Sequence, residues 1–306
     1  GFPEPVIQLF QKLLEHEHEL SRLSCRLYRE CAEYSADSIL KAAALRRRGV
    51  PVFNIAHGDD FVHTESTCYI KLDRFFIWSQ RQLDIFRFVW GAVKKIEIVG
   101  PFKNDWFLTP LEPEHAALMK RTEGRWRVAV FDTTFSDDAY ITRADVRRMY
   151  DDVLWALEQL PNRFIIIKSK LYNSGRIFEM EGFRDLGERL KGREDVFVMS
   201  SQFPAQEAFK TADLVIAFGP STVGIEALCC GKPVIFYDTL RLAEHPFLRY
   251  PGVVCSDRDA LLARLRELAA GGVYMEPAAR KAMVEYEGLS RPGHARFFAE
   301  AIGARQ

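Results

Sequence analysis

Two hydroxyl side chains, Ser221 and Thr222, follow an apolar run, 214–218, through a turn that opens with Gly219, and a helical pattern begins there. The first backbone N–H groups of a helix are unpaired and lie at the positive end of its dipole, so they attract anions such as phosphate. Glu226 follows one turn later, where its carboxylate could accept hydrogen bonds from the hydroxyls of a ribose. The pattern therefore favours a nucleotide site. The alternative is an ordinary strand-helix-strand unit, with Ser221 as N-cap and Glu226 in solvent.

A parallel sheet would have to position these residues. After residue 124, apolar runs with little alternation are separated by helical patterns, which is typical of a sheet covered by helices on both faces. The predicted strands are 127–131, 164–168, 196–199, 214–218, 234–237 and 253–255, and the main helices are 143–160, 181–191 and 260–269. In such folds ligands bind at the carboxyl edge of the sheet.

Residues 213–238 resemble the donor-nucleotide segment of glycosyltransferases with the GT-B fold. They are most similar to teichoic-acid and capsule-type transferases related to the CDP-glycerol glycerophosphotransferases. The resemblance rests on a Ser-Thr pair after a strand, a Glu-Ala pair, and a closing Gly-Lys-Pro strand, which here are Ser221, Thr222, Glu226, Ala227, Gly231, Lys232, Pro233, Ile235, Phe236 and Tyr237. It implies an α/β fold with two Rossmann-like domains facing a cleft. It also implies that Glu226 holds the donor ribose, while Gly219, Ser221 and Thr222 hold its phosphates.

The resemblance divides the chain into an acceptor-side domain, 1–124, and a nucleotide-donor domain, 125–306, whose last pattern, at 294–302, is expected to cross back. The first domain opens with a helical pattern over 4–49, with a break expected near 35–37. Its three predicted strands are 50–56, 75–79 and 96–99, with a helix at 81–91 and an irregular polar stretch at 103–124. We therefore expect a reduced or incomplete Rossmann-like domain there.

His57 follows the predicted strand 50–56 and opens a His-Gly-Asp-Asp sequence. In the resembling family a His-Gly at this point faces the cleft and is the expected catalytic base. The chemistry needs such a group, since an acceptor hydroxyl has a pKa far above 7 and an imidazole titrates in the useful range. Asp59 and Asp60 could orient His57 or act as the base themselves, and His63 is another candidate. A plain turn is the alternative.

Donor-side candidates follow two other predicted strands. Lys168 and Lys170 could neutralise a donor phosphate as point charges. The family has a His-Pro pair where this chain has Lys170 and Leu171, which weakens an assignment to glycerophosphate transfer. Ser200 and Gln202 are expected to border the nucleotide base. Solvated lysines and ordinary turns are the alternatives.

Acceptor-side candidates lie after the strands 127–131 and 234–237. They are Thr133 and Thr134, and Asp238 and His245. No His, Cys, Asp and Glu cluster shows metal-ligand spacing, so we expect no metal. The resemblance likewise implies no cofactor, only a nucleotide-activated donor of the CMP, CDP or UDP type.

Composition excludes several classes of protein. With 42 basic and 42 acidic residues the chain has no net charge, and its pI of about 7.2 argues against a nucleic-acid partner. No apolar run is long enough to span a membrane, and the six cysteines lack metal spacing, which is typical of a reduced, cytoplasmic protein. Lys41 with Arg46, Arg47 and Arg48 could touch anionic lipid at the inner face of the plasma membrane. The alternative is a solvated helix end.

These features together predict a metal-independent glycosyltransferase or polyol-phosphate transferase. It would move a unit from a nucleotide-activated donor to a bacterial-type surface polysaccharide or a lipid-linked glycan. A nucleotide-sugar epimerase of the UDP-GlcNAc 2-epimerase type is an alternative with the same fold. An inactive binding or scaffold module is the alternative that is not an enzyme. A dinucleotide-binding Rossmann protein is disfavoured, since no G-x-G-x-x-G follows a predicted strand.

Overall fold

The computed structural model describes residues 4–22, 26–30, 36–56, 58, 71–86, 92–136, 141–170, 176–241 and 245–287. These residues form two compact units. The first unit contains the described residues up to Pro101 together with residues 284–287, which end the last described helix. The second unit runs from Phe102 to Met283. The units thus divide at Pro101, whereas the sequence prediction placed the domain boundary at residue 124.

The first unit is built on a parallel sheet. Its elements are α1 (Glu4–Ser21), β1 (Tyr28–Glu30), α2 (Ala36–Arg47), β2 (Val52–Ile55), β3 (Lys71–Ile77), α3 (Gln80–Phe86) and β4 (Ala92–Ile98). The strands pair in the order β1-β2-β3-β4, and every pairing is parallel. The prediction that residues 4–49 are helical was wrong at β1. Three residues between two helices are too short for a period-2 pattern to show.

The second unit begins with a 3₁₀ helix, Phe102–Leu108, followed by α4 (Pro113–Arg121). Its remaining elements are β5 (Trp126–Phe131), α5 (Arg143–Glu158), β6 (Arg163–Lys168), α6 (Arg184–Leu190), β7 (Val196–Val198), α7 (Ala205–Thr211), β8 (Leu214–Phe218), α8 (Thr222–Cys229), β9 (Val234–Tyr237), β10 (Val254–Cys255), α9 (Arg258–Ala269) and α10 (Pro277–Glu287). The stretch 103–124, predicted to be irregular, is therefore largely helical. Pro113 at the first turn of α4 is a standard helix-start signal.

The sheet of the second unit has the strand order β7-β6-β5-β8-β9-β10, with all strands parallel. This is the doubly wound order. Successive strands are added on one side of β5 up to β7 and then on its other side from β8 onward, so the topological switch point lies between β5 and β8. The central strands β8 and β9 are buried along their whole length, and β5 and β6 are buried except at their first residues, as the apolar runs within them predict. Side chains of α5, including Val146, Met149 and Val153, pack on one face of this sheet. We consequently expect a ligand to bind at the carboxyl ends of β5 and β8.

The first unit contains the end of α10 as well as α3. Arg81 Nε donates to Glu287 Oε2 at 2.7 Å, and both side chains are buried. A buried ion pair of this kind holds its two segments together because either partner alone would be a buried unpaired charge. The crossing-back segment predicted at 294–302 lies outside the described residues.

The basic run at the end of α2 makes contacts within the first unit. Lys41 Nζ lies 2.6 Å from Asp37, and Arg47 Nη1 lies 2.6 Å from Glu17 on α1. Arg48 Nη1 donates to the carbonyl oxygen of Leu20. These contacts favour the interpretation of the run as a helix end that anchors α1 rather than as a lipid-binding patch.

Candidate functional site at the carboxyl edge of the second sheet

The turn between β8 and α8 presents the predicted phosphate-binding residues. Gly219 has a φ of +49°, a conformation that favours glycine, and its N–H donates to the carbonyl of Tyr237 at 2.9 Å. Ser221 is the N-cap of α8 and Thr222 is its first residue. The Ser221 side chain does not cap the helix, and its Oγ is buried without a hydrogen-bond partner among the described residues. A buried hydroxyl in this state is available to a ligand.

The start of α8 packs very closely on β9. A Cβ added at Gly224 would lie 2.2 Å from Cε1 of Phe236, which is fully buried. Glycine at this position therefore sets how near α8 approaches the sheet. The helix start is thereby fixed at the carboxyl edge.

Glu226 is the buried carboxylate of the site, with only 8% of its surface exposed. Its Oε2 accepts a long hydrogen bond, 3.4 Å, from Nε2 of Gln206 on α7. Its own carbonyl oxygen accepts from Nδ2 of Asn104 at 2.8 Å, and Gln206 Nε2 also donates to Asn104 Oδ1 at 2.9 Å. The interpretation that Glu226 is solvated is therefore wrong. Asn104 and Gln206, which sequence reasoning missed, hold it from two other elements.

Burial raises the pKa of Glu226 to about 7, because an ionised carboxylate is poorly solvated there. The positive charges of Lys103 and Lys170 and the hydrogen bond from Gln206 oppose this shift. Lys170 was predicted to lie in the site and Lys103 was not. The carboxylate is thus poised to change its charge near neutral pH.

Asp132, directly after β5, is the second buried carboxylate at this edge. Its Oδ2 accepts from Tyr150 Oη at 2.9 Å and from Ser169 Oγ at 2.7 Å, and its Oδ1 accepts from the N–H of Lys170 at 2.5 Å. Burial raises the pKa of Asp132 in spite of these three hydrogen bonds. The sequence analysis selected the neighbouring Thr133 and Thr134 as candidates and did not select Asp132. Its position at the end of a buried strand was the signal that could have identified it.

Lys168 and Lys170 have different surroundings although only Ser169 separates them in the sequence. Lys168 is buried, so desolvation lowers its pKa, and the charge of Asp132 opposes that change. Lys170 is exposed, while its backbone is held by Asp132 and its charge acts on Glu226. Of the two, Lys170 is placed to meet a ligand beside Glu226.

The other residues predicted at the carboxyl edge follow β5 and β7 and are not shown in contact with Glu226. Thr133 is partly exposed and Thr134 is exposed, both just beyond β5. Ser200 accepts the N–H of Gln202 at 3.3 Å in the turn after β7. The edge strand β7 is separated from β8 by β6 and β5, a distance of about 14 Å at the usual strand spacing. The turn that carries Ser200 and Gln202 leads into α7, whose Gln206 contacts Glu226, so their place beside the nucleotide base stays a prediction.

Asp238 and His245 follow β9 and are buried. Asp238 Oδ1 accepts the N–H of Leu240 at 3.1 Å, and His245 Nδ1 accepts the N–H of Phe247 at 3.2 Å. The His245 ring packs edge-on against Phe236, with 5.3 Å between ring centroids. These contacts favour a role in ordering the loop after β9.

The lysine of the Gly-Lys-Pro sequence serves the fold. Lys232 Nζ donates to the carbonyl oxygen of Ala212 at 2.8 Å, at the end of α7, and burial lowers the pKa of Lys232. This contact joins the turn before β9 to the helix that carries Gln206. The motif residue Lys232 is thus a support of the site rather than a phosphate ligand.

The predicted catalytic residues His57, Asp59 and Asp60, and the alternative His63, lie outside the described residues. Their neighbours at the end of β2 are well anchored. Trp78 Nε1 donates to the carbonyl of Ala56 at 3.1 Å, and Gln82 Nε2 donates to the carbonyl of Gly58 at 3.0 Å. The backbone on either side of His57 is consequently held by side chains from the β3–α3 segment.

Two kinds of feature are absent from the described ranges. These ranges contain no group of three or more His, Cys, Asp or Glu side chains that could hold a metal ion. None of their helices is both long enough and apolar enough to cross a membrane.

The model of one protein family, described as polysaccharide biosynthesis PFTS motif protein, matches residues 49–265. This match covers more than half of the sequence and includes both buried carboxylates. The chain belongs to this family. Among curated proteins, no match was found.

Solved structures similar to this polysaccharide biosynthesis PFTS motif protein share its fold at low identity. UDP-GlcNAc 2-epimerase from Neisseria meningitidis, bound to UDP-GlcNAc, has a TM-score of 0.61 and 13% identity, over 97% of this chain and 81% of that one. Anabaena HepE, in complex with UDP and glucose, has a TM-score of 0.55 and 13% identity, over 96% and 81%. Sucrose-phosphate synthase from Thermosynechococcus elongatus has a TM-score of 0.50 and 12% identity, over 100% and 81%. The chain therefore has an α/β fold of the GT-B-like, Rossmann type.

Proposed function

We propose that this PFTS family protein is a glycosyltransferase that moves a sugar from a nucleotide-activated donor to a glycan acceptor in polysaccharide biosynthesis. The family supports the biosynthetic context. The GT-B-like fold supports a nucleotide-sugar substrate, because structures with this fold include complexes with UDP-GlcNAc and with UDP and glucose. Lys170 and Leu171 stand where the glycerophosphate transferases have His-Pro, so a sugar is favoured over a polyol phosphate.

The observation that carries this proposal is Glu226, a carboxylate held in a buried position one turn into α8. A buried carboxylate with few partners is costly to the fold, which suggests that it is retained for a ligand. Two ribose hydroxyls would satisfy its oxygens. Phosphates would then lie toward the start of α8, where Ser221, Thr222 and the helix dipole are favourable for anions.

In the proposed reaction an acceptor hydroxyl oxygen attacks the anomeric carbon of the donor sugar. The new carbon–oxygen bond forms as the bond from that carbon to the phosphate oxygen breaks, and the nucleotide leaves with the electron pair. His57, Asp59 or Asp60 would take the proton of the acceptor hydroxyl. Lys170 and the start of α8 would stabilise the charge that develops on the departing phosphate, so the proposal includes no metal.

An epimerase is the second candidate, and the fold shared with UDP-GlcNAc 2-epimerases favours it. Such an enzyme would use the same nucleotide site. It would change the configuration of the sugar and would need no glycan acceptor. Acceptor dependence therefore separates the two functions.

The test is to incubate the protein with a panel of nucleotide sugars, including UDP-GlcNAc, with and without oligosaccharide or lipid-linked acceptors. Mass spectrometry and chromatography would follow the nucleotide, the sugar and the acceptor. A transferase releases nucleotide in proportion to the acceptor that gains one sugar mass. A new epimer without acceptor would replace our proposal with the second candidate. No turnover with either, together with no nucleotide binding, would support an inactive module.

The charge of Glu226 predicts a pH dependence for donor binding. Ribose hydroxyls donate to the ionised carboxylate, and in the free protein this carboxylate gains a proton as the pH falls through about 7. Affinity for a nucleotide sugar should be constant above about pH 8 and should fall about tenfold per pH unit below 7. Calorimetric titration from pH 5.5 to 8.5 measures this, and nucleotide sugars are suitable because their bridging phosphates do not titrate in that range. A flat profile would show that Glu226 does not bind the donor in its ionised form.

A further inference from the structure

The 3₁₀ helix Phe102–Leu108 contacts the backbone of Glu226, in the proposed donor site, from outside the βα units. Asn104 on this helix is fully buried and has side-chain hydrogen bonds to the Glu226 backbone and to Gln206. Both donor and acceptor atoms of its amide are thereby used. The helix is consequently fixed in position relative to α7 and α8, and Lys103 is carried with it.

Lys103 is exposed, yet its positive charge lowers the pKa of Glu226 against the effect of burial. The geometric basis for placing Lys103 near Glu226 is the next residue, Asn104, whose side-chain amide donates to the Glu226 carbonyl oxygen at 2.8 Å. Lys103 forms no salt bridge within 4 Å to a carboxylate among the described residues, and the same holds for Lys170. Lys210, by contrast, lies 2.8 Å from Glu207 in the same unit.

Two lysines from different segments thus bring positive charge near Glu226, and neither forms a direct ion pair with a carboxylate in the described part of the chain. The buried Ser221 Oγ, without a partner in the described part of the chain, belongs to the same helix start as Glu226. A pair of ammonium groups and a hydroxyl donor suit an anion with two negative charges. A sugar linked through a nucleoside diphosphate carries such an anion, whereas one linked through a nucleoside monophosphate carries a single charge.

We propose that Lys103 is a phosphate-binding residue of the donor site, positioned by Asn104, and that the donor is a sugar linked to a nucleoside diphosphate. This inference rests on the proposed function, since it assumes that the ribose occupies Glu226. It adds to the site a segment that lies outside the strand-end loops. Lys103 and Lys170 would contact the phosphates from two sides of the carboxylate.

Calorimetry on the full chain at pH 8 tests the proposal with UDP, CDP, GDP and ADP, the matching monophosphates, and inorganic pyrophosphate. In the wild type at least one diphosphate should bind about tenfold or more tightly than its monophosphate. Lys103→Met should weaken that diphosphate and pyrophosphate about tenfold to thirtyfold and the monophosphate less than about threefold. Lys103→Arg should stay within about threefold of the wild type. Lys120 is an exposed lysine on α4. Lys120→Met is therefore the matched control, and it should bind each of these ligands as tightly as the wild type does.

The pH dependence of nucleotide affinity is a second measurement. Its midpoint should change only if the charge of Lys103 acts on Glu226, and not if Lys103 merely supports the fold. The groups that face Glu226 are Lys103 and Lys170, Gln206, and Cys230 on its own helix segment. Removing the charge of Lys103 should move the midpoint of the affinity profile to higher pH. Lys103→Arg should restore the midpoint.

Each outcome decides between the proposals. If diphosphates and monophosphates bind alike to the wild type, or if Lys103→Met keeps the diphosphate preference, the role of Lys103 is wrong while the donor site can stand. If pyrophosphate binds through Lys103 but no nucleotide binds, the anion site stands and the proposed function fails. If neither pyrophosphate nor any nucleotide binds, both are wrong.

Discussion

At pH 8, Glu226→Gln is expected to bind the donor nucleotide about 30- to 300-fold more weakly than the wild type. Glutamine has nearly the same size, but its amide lacks the charge and cannot accept with both side-chain atoms. Hydrogen bonds to a charged group contribute about 1.5–3 kcal/mol each, and two ribose hydroxyls are involved. Calorimetric titration of the purified variant measures the loss. Glu123→Gln, at an exposed glutamate, is the matched control and should bind as the wild type does.

The same variant should be more stable than the wild type at pH 8. The folded-state pKa of Glu226, about 7, lies above the usual value of 4.5, so the folded protein holds the proton more tightly than the unfolded chain. Stability therefore falls as the pH rises from about 4.5 to 7, and the cost above pH 7 is on the order of 1–3 kcal/mol. Glu226→Gln removes this cost. Its free energy of unfolding should exceed that of the wild type at pH 8, with a smaller difference at pH 5.

Urea denaturation at the two pH values measures this difference. A gain in stability combined with a loss of binding would identify Glu226 as a residue kept for its ligand at the expense of the fold. If Glu226→Gln keeps full affinity for every nucleotide, the role of Glu226 in donor binding is wrong. If it is destabilised at pH 8, the carboxylate instead serves the fold.

Asp132→Ala is expected to destabilise the second unit by about 3–5 kcal/mol. The substitution removes the acceptor of Tyr150 Oη, Ser169 Oγ and the Lys170 N–H, all at the carboxyl edge of the sheet. It also leaves the buried ammonium of Lys168 without its nearby carboxylate. Breaking a buried charged network by removing one partner typically costs this much, because the remaining groups lose their solvation without compensation.

Thermal and urea denaturation measure the effect, which for a unit of this size corresponds to a fall in melting temperature of about 6–20 °C. Asp185→Ala is the matched control. Asp185 is exposed and its 2.6 Å ion pair with Arg147 lies at the surface, where solvent screens it, so its loss should change the free energy of unfolding far less than Asp132→Ala does. Equal effects of the two substitutions would show that Asp132 does not organise the loop after β6.

The sheet of the second unit could be predicted from the sequence within one residue at most strand ends. Continuous apolar runs such as 164–167 and 214–218, the second closed by Gly219 and Pro220, specify buried parallel strands without tertiary information. The first unit was harder. Strand β1 has three residues, and β3 begins at Lys71, four residues earlier than predicted, with charged residues among its first four. Short or charged strands lack the apolar run that reveals a strand.

The candidate site was predictable only where it follows a strand. Ser221, Thr222, Glu226 and Lys170 come directly after β8 and β6, and the parallel topology brings these strand ends to one edge. Asn104 lies 122 residues before Glu226 in the sequence, and no local pattern signals such a contact. Likewise, the burial of Glu226 depends on α7 and on the 3₁₀ helix 102–108, whose packing a single sequence does not show.

Hydrogen–deuterium exchange with and without a bound nucleoside diphosphate tests most directly whether the donor lies at this edge. We expect slower exchange at the start of α8, in the loop after β6 at 168–170, and in the 3₁₀ helix 102–108. Binding restricts the opening of these backbone amides. Glu226→Gln at the same nucleotide concentration should lose the protection. Protection confined to other segments, or no protection by any nucleotide at millimolar concentration, would contradict a donor site built on Glu226.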